Sequence, residues 1–221
     1  MISAVVFDLD GVIVDSEPLW DEVREGYTEE HGGTYAAGAA RDMMGMSAPE
    51  WSRYMSEVLG VAGTPDEITA GVLARMLERY GESPPLVPGA VEAVRSVGER
   101  RTVAIASSSN PELIEVVLRV SGLAEAVRLA VSSQEVPRGK PEPDVYLEAA
   151  RRLGMAAARC AAVEDSHNGL LAAKAAGTAV VAVPNPHFPP GAETLALADV
   201  VLDSIALLDG GVIDALEALR S

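Results

Sequence analysis

Cysteine is almost missing from this sequence, with Cys160 the only one among 221 residues. No disulfide can form within the chain, which is the usage expected of a reducing, cytoplasmic setting. Aromatic residues are scarce too, at 4% against 48% hydrophobic residues overall. A core must therefore be assembled from Ala, Val and Leu. Positive charge is thin: 17 Lys and Arg stand against 33 Asp and Glu, a net charge of −16. Such a surface repels nucleic-acid phosphates and anionic lipid and argues against both as partners. It would equally repel a small anion, so a site for one must supply a local cation. No apolar run reaches the ~18 residues of a membrane span, and the N-terminus lacks the pattern of a secretory signal. The expectation is a soluble cytoplasmic protein with a small-molecule partner, monomeric, with a dimer as the alternative.

What the chain does have is a rhythm of short apolar runs without helical period. They are Ser3 to Phe7, Thr102 to Ser107, Arg128 to Ser132, Cys160 to Glu164 and Thr178 to Val183, with Ala198 to Asp203 as a possible extra one. Each reads as a buried strand. Helical patterns lie between them: Pro88-Gly89 to about Arg100, Pro111 to Gly122, Pro141 to Leu153, and Ser166 to Ala176. The expected fold is α/β, a Rossmann-like parallel sheet with helices on both faces. Residues 16–83 break the rhythm with three helical stretches, Pro18 to His31, Pro49 to Leu59 and Pro65 to Tyr80, and no strand. They are expected to form an all-helical module inserted into a core of residues 1–15 and 84–221, with Ser83-Pro84-Pro85 as a stiff return.

Polar residues suited to chemistry sit at the strand ends, where open parallel sheets bind ligands. Asp8 and Asp10 end the first strand, and Gly11 gives the chain freedom to turn both toward one ligand. Taken alone, such a pair is better explained by a metal-binding or turn-forming motif; the neighbouring strand ends reverse that. Glu164-Asp165 ends an apolar run, where two unpaired carboxylates are expensive. A hard cation such as Mg²⁺ resolves that cost; helix capping by Asp165 is the alternative, a role Ser166 can also fill. Lys140, among prolines at a helix start, can neutralise a phosphate and keep a carboxylate ionised, although most lysines lie on the surface. Ser107-Ser108-Ser109-Asn110 can cradle a phosphate at a helix N-terminus, or cap that helix through Ser109 or Asn110. The G-x-S-x-G elbow of serine hydrolases is absent around these serines. His167 is expected at the rim, His31 in the inserted module and His187 in a loop.

These residues together resemble the haloacid dehalogenase superfamily over essentially the whole chain. The first motif resembles Asp8-Leu-Asp-Gly-Val12, the second Ser107, the third Lys140, and the fourth Glu164-Asp165-Ser166 with Gly169 after it. The resemblance implies Mg²⁺-dependent hydrolysis of a small phosphorylated metabolite through an aspartyl phosphate on Asp8. Asp10 would be general acid and base. The cation would be held by the Asp8 and Asp165 side chains and the Asp10 carbonyl, with Glu164 bound directly or through water. Ser107 and Lys140 would grip the phosphoryl oxygens, and residues 16–83 would be a cap that closes over the site.

Dehalogenases of this superfamily lack the aspartate at Asp10, so carbon–halogen cleavage is not expected. The branch it resembles also holds β-phosphoglucomutases, which have a histidine where this chain has Trp20. They place an arginine after a Gly-x-Ser, where Gly45-Met46-Ser47 is followed here by Ala48. Phosphatase is therefore the reading and mutase the alternative; a receiver-like phospho-acceptor is a non-enzymatic one. Trp20, Met43, Met44, Met46 and Ser47 are expected to shape the pocket for a sugar, polyol or nucleotide-like monophosphate, with the methionines alternatively filling the module's own core.

Overall fold

The computed structural model describes residues 1–43, 46, 48–186 and 189–219. The chain divides into two compact units, residues 1–15 with 84–221 and residues 16–83.

The first unit is built on a parallel sheet of six strands in the order β3-β2-β1-β4-β5-β6. The strands are β1 (Ala4–Phe7), β2 (Thr102–Ser107), β3 (Val127–Ser132), β4 (Cys160–Glu164), β5 (Ala179–Ala182) and the short β6 (Val200–Val201). The chain proceeds outward from β1 through β2 to β3, then returns to the other side of β1 with β4. The strand order thus reverses between β1 and β4, which makes their C-terminal ends the topological switch point. Register pairs Phe7 with Ile105 on one side and with Val163 on the other, so the ends of the three strands fall together.

Alternation along the strands assigns the two faces. Ala4, Val6, Ala104, Ala106, Ala162 and Val180 pack with Tyr146 and Ala149 of α7 (Asp144–Arg152) and with Leu170 and Ala173 of α8 (His167–Ala175). The small side chains on this face let those helices lie close to the sheet, as a core poor in aromatics requires. α5 (Ala90–Gly98) packs against β2, and α6 (Pro111–Val120) against β3. Each buried Val or Leu stabilises the core by about 1.5–3 kcal/mol.

Two details differ from the sequence expectation. The helix expected from Pro141 begins at Asp144, because Lys140 and Glu142 each precede a proline and are steered away from helical geometry. A helix at the C-terminus (Gly210–Leu219) was not anticipated, since two glycines at its start conceal its apolar period.

The regular elements among the second unit's described residues are all helices: α1 (Glu17–Glu30), α2 (Ala39–Met43), α3 (Ala48–Glu57) and α4 (Pro65–Glu82). α4 opens with a capping box between Thr64 and Glu67. α1 meets α4 at Gly71, where an added Cβ would stand 2.3 Å from the Tyr27 ring. Arg75 to Glu30 and Arg79 to Glu22 tie the same pair of helices. Trp20 lies tilted against Trp51 at 6.2 Å, with the buried Arg24 guanidinium over both rings. Met43, Met55 and Met76 are fully buried, so Met43 behaves as core. Met44 and Ser47 of the expected pocket, Gly45 of the Gly-x-Ser, and His187 lie outside the described residues.

Candidate active site

The loop after β1 begins with Asp8, whose amide still donates to the Val163 carbonyl at 2.9 Å as though the strand continued. The chain then coils tightly: Ile13 and Val14 donate to the Leu9 carbonyl, and Gly11 donates to Val14 at 2.7 Å. Gly11 adopts φ +77°, and a Cβ there would stand 1.8 Å from Asp165 Oδ2. Only glycine therefore lets the first loop and the end of β4 approach this closely. Gly169 does the same beneath the neighbouring carboxylate, since its Cβ would lie 1.8 Å from Glu164 Oε2.

Asp8, Glu164 and Asp165 are all buried, each with a carboxylate oxygen within 4.8 Å of the others. Lys140 reaches into this group with a side chain only 5% exposed, its Nζ 2.8 Å from Asp8 Oδ1 and 2.6 Å from Glu164 Oε1. A surface role for Lys140 is thereby ruled out. Burial pushes the Asp8 carboxyl up to about 8, with Glu164 and Asp10 adding to the rise and Lys140 opposing it. Burial likewise lifts Asp165 well above the ordinary carboxyl range, helped by Glu164 and Asp8. Lys140 shows the reverse balance: burial disfavours its charge, but Asp8 and Glu164 outweigh that and hold it above the usual lysine value.

Three carboxylates thus face one ammonium. A divalent cation would balance the remaining charge and let Asp8 and Asp165 ionise. Asp165 Oδ1 is buried without a hydrogen-bond partner, and Asn185 touches only the other oxygen, at 3.5 Å. An unspent, inward-facing carboxylate oxygen set among other oxygen donors suits Mg²⁺.

Asp10 is held from β2. Ser109 Oγ donates to its Oδ2 at 2.7 Å and Ser107 Oγ lies 3.2 Å from the same oxygen, while Oδ1 is buried and unpartnered. Ser107 Oγ also accepts from the Ser109 amide, and Ser132 Oγ donates to the Ser109 carbonyl at 2.7 Å. Neither expected cap forms: Asn110 occupies the N-cap of α6 without a side-chain bond, and the Ser109 hydroxyl is engaged with Asp10. Ser108 is exposed. Capping by Asp165 is also overturned, for Ser166 accepts from the Gly169 amide at the start of α8. His167 is exposed and bonds Thr194 at 2.6 Å.

Sequence reasoning missed two members of the group. Tyr146 of α7, fully buried, donates to Glu164 Oε1 at 2.5 Å. Helical period marks it as core, and only the rule that a buried tyrosine hydroxyl seeks a partner could have raised it. Asn185 lies three residues beyond the end of β5, in the loop at that strand's exit. A cavity of about 440 Å³ opens elsewhere, lined by Ser3, Arg101, Thr102 and Arg128 at the starts of the strands. It lies at the wrong end of the sheet for these carboxylates, and Arg101 there is already paired with Asp214.

The comparisons agree with this geometry. The family model described as haloacid dehalogenase-like hydrolase matches residues 2–177. Hexitol phosphatase B of Escherichia coli K12 is 34% identical over 226 residues, covering 94% of each chain. The phosphorylated carbohydrates phosphatase of Thermotoga maritima is 30% identical, covering 80% of this chain and 82% of its own. Among solved structures, CbbY from Rhodobacter sphaeroides in complex with phosphate superposes with a TM-score of 0.83 at 25% identity, covering 94% of this chain and 96% of that one. A family match over most of the length, with phosphatases similar along it, places this chain in the haloacid dehalogenase-like hydrolase family, as a phosphatase.

Proposed function

We propose that the protein hydrolyses small phosphomonoesters with Mg²⁺, by transferring the phosphoryl group to Asp8 and then to water. The observation that carries this reading is the burial of Asp8 against Lys140 at the switch point, with Asp10 held two residues away by Ser107 and Ser109. A carboxylate oxygen of Asp8 attacks phosphorus, the ester oxygen departs as the alcohol with the proton of Asp10, and Asp10 then takes a proton from the water that attacks the aspartyl phosphate, releasing phosphate and Asp8. Lys140, with one N–H toward Asp8 and one toward Glu164, keeps its third for a phosphoryl oxygen. The cation would be held by the Asp8 and Asp165 side chains and the Asp10 carbonyl, with Glu164 beside them. Bound there, it would neutralise charge on the transferring group.

The substrate class we favour is a sugar or polyol phosphate, as the names of the hexitol and carbohydrate phosphatases suggest. Trp20 and Ser47 are the candidates for contact with its alcohol part. Phosphomutase activity is the second reading, supported by the likeness to a putative beta-phosphoglucomutase from Thermotoga maritima, with TM-score 0.77 at 27% identity. A screen of phosphorylated metabolites for released phosphate, with β-glucose 1-phosphate assayed also for glucose 6-phosphate, tests both. No phosphate released from any ester in Mg²⁺ would refute the main reading.

Two expectations follow from the roles assigned. Asp10→Asn should lower kcat/KM for an alkyl phosphate by about 10²–10⁴, and less for p-nitrophenyl phosphate, whose leaving group needs no proton. Equal losses on both esters would remove the acid role. Mg²⁺ at a hundred times its Kd should raise stability by about 2.7 kcal/mol. For a chain of this length that is about 5–10 °C in thermal midpoint. Asp165→Asn should abolish the rise, and a rise that persists would take Asp165 out of the metal site.

A further inference from the structure

Glu164 is the most enclosed carboxylate of the group, with no exposed surface. Strand alternation sets its side chain on the sheet face that α7 and α8 cover, the face of Cys160 and Ala162. Two donors converge there on one of its oxygens: Tyr146 Oη at 2.5 Å and Lys140 Nζ at 2.6 Å both meet Oε1. The other oxygen, Oε2, receives Ser166 Oγ at 3.3 Å and is pressed against Gly169. Lys140 Nζ also stands 5.2 Å from the centre of the Tyr146 ring. Tyr146 thus acts on Lys140 twice, through its face beneath the ammonium and through the carboxylate that both share.

We propose that Tyr146 is a positioning residue: by saturating Glu164 Oε1, it lets Glu164 anchor Lys140 at Asp8 without drawing the ammonium away from the phosphoryl site. This inference rests on the phosphatase reading above. A buried carboxylate oxygen that loses one of two donors leans harder on the other. Without the phenol, Lys140 Nζ shifts toward Glu164 and away from the 2.8 Å contact with Asp8. The third N–H then no longer meets the phosphoryl oxygen. Tyr146 acts on phosphate through Lys140 and leaves the cation, on Asp8 and Asp165, largely as it was.

The test compares Tyr146→Phe, which keeps the ring, with Glu164→Gln and the double variant. Inhibition by inorganic phosphate in saturating Mg²⁺ and Mg²⁺ binding by calorimetry are the readouts. In Tyr146→Phe the phosphate inhibition constant should rise by about tenfold, the range expected for a hydrogen bond to a charged group. The Mg²⁺ Kd should change by less than twofold. In the Glu164→Gln background, Tyr146→Phe should have no further effect on phosphate, because its route is already cut. An unchanged phosphate constant, a Mg²⁺ Kd that moves in step with it, or additive effects in the double variant would each overturn the proposal. A lowered thermal midpoint with both constants unchanged would show a purely structural tyrosine and overturn it as well. Should Tyr146→Phe fail to fold, Glu164→Gln alone decides, since the anchor role requires its phosphate constant to rise at least tenfold. A wild type without phosphatase turnover would sink the parent reading; wild-type turnover with an unchanged phosphate constant in Tyr146→Phe would sink only this one.

Discussion

Asp8→Asn should yield a folded protein whose phosphate release is lower by about 10⁴–10⁶, the scale on which loss of a nucleophile is felt. An amide nitrogen or oxygen has neither the charge nor the basicity to displace an alkoxide from phosphorus. The fold should be indifferent to the change when Mg²⁺ is absent. Burial already pushes the Asp8 carboxyl up to about 8, so without the cation near neutral pH the folded chain favours its neutral form, which the neutral asparagine amide replaces at similar size. The thermal midpoint in chelator should therefore be no lower than that of the wild type. Acid-quenched turnover with labelled substrate should trap phosphate on the wild type and none on the variant. Near-wild-type turnover by Asp8→Asn would exclude the covalent route.

The architecture was largely written in periodicity. The runs at 102–107 and 160–164 emerged as β2 and β4 with the same bounds. β4 could be bounded because its last apolar residue is followed by Glu164-Asp165, where a strand must end or find a cation. The grouping of polar side chains was legible where residues are close in sequence to a strand end, as Asp8, Asp10, Ser107 and Asp165 are. It was illegible where a side chain crosses from a helix interior. Tyr146 lies six residues after Lys140 and eighteen before Glu164, and nothing in a one-dimensional pattern brings the three together. Ser109 failed for a different reason. Its hydroxyl suits a helix cap and a carboxylate partner equally well, and only the approach of the Asp10 loop decides between them.

Lys140→Met removes the ammonium while keeping most of the stem's volume. Three carboxylates, Asp8, Glu164 and Asp165, are then buried together with Tyr146, Ser166 and Asn185 as their neutral donors. Breaking a buried ion pair by removing one partner costs about 3–5 kcal/mol, here about 6–20 °C of thermal midpoint when a chelator is present. Proton uptake by Asp8 and Asp165, already favoured by their burial, should soften the loss at lower pH, so the variant should recover stability as the buffer is acidified toward pH 5. The sign follows from carboxyl groups whose folded-state affinity for protons exceeds that of the unfolded chain. Saturating Mg²⁺ should restore much of the midpoint as well, since it supplies the missing positive charge. It should not restore the rate, because the variant lacks the third N–H that we propose meets the phosphoryl oxygen, and such a loss costs about 10²–10³ in kcat. Thermal melts with and without Mg²⁺, beside kcat at saturating Mg²⁺, separate the two effects. Recovery of kcat together with the midpoint would show that Lys140 serves the fold alone.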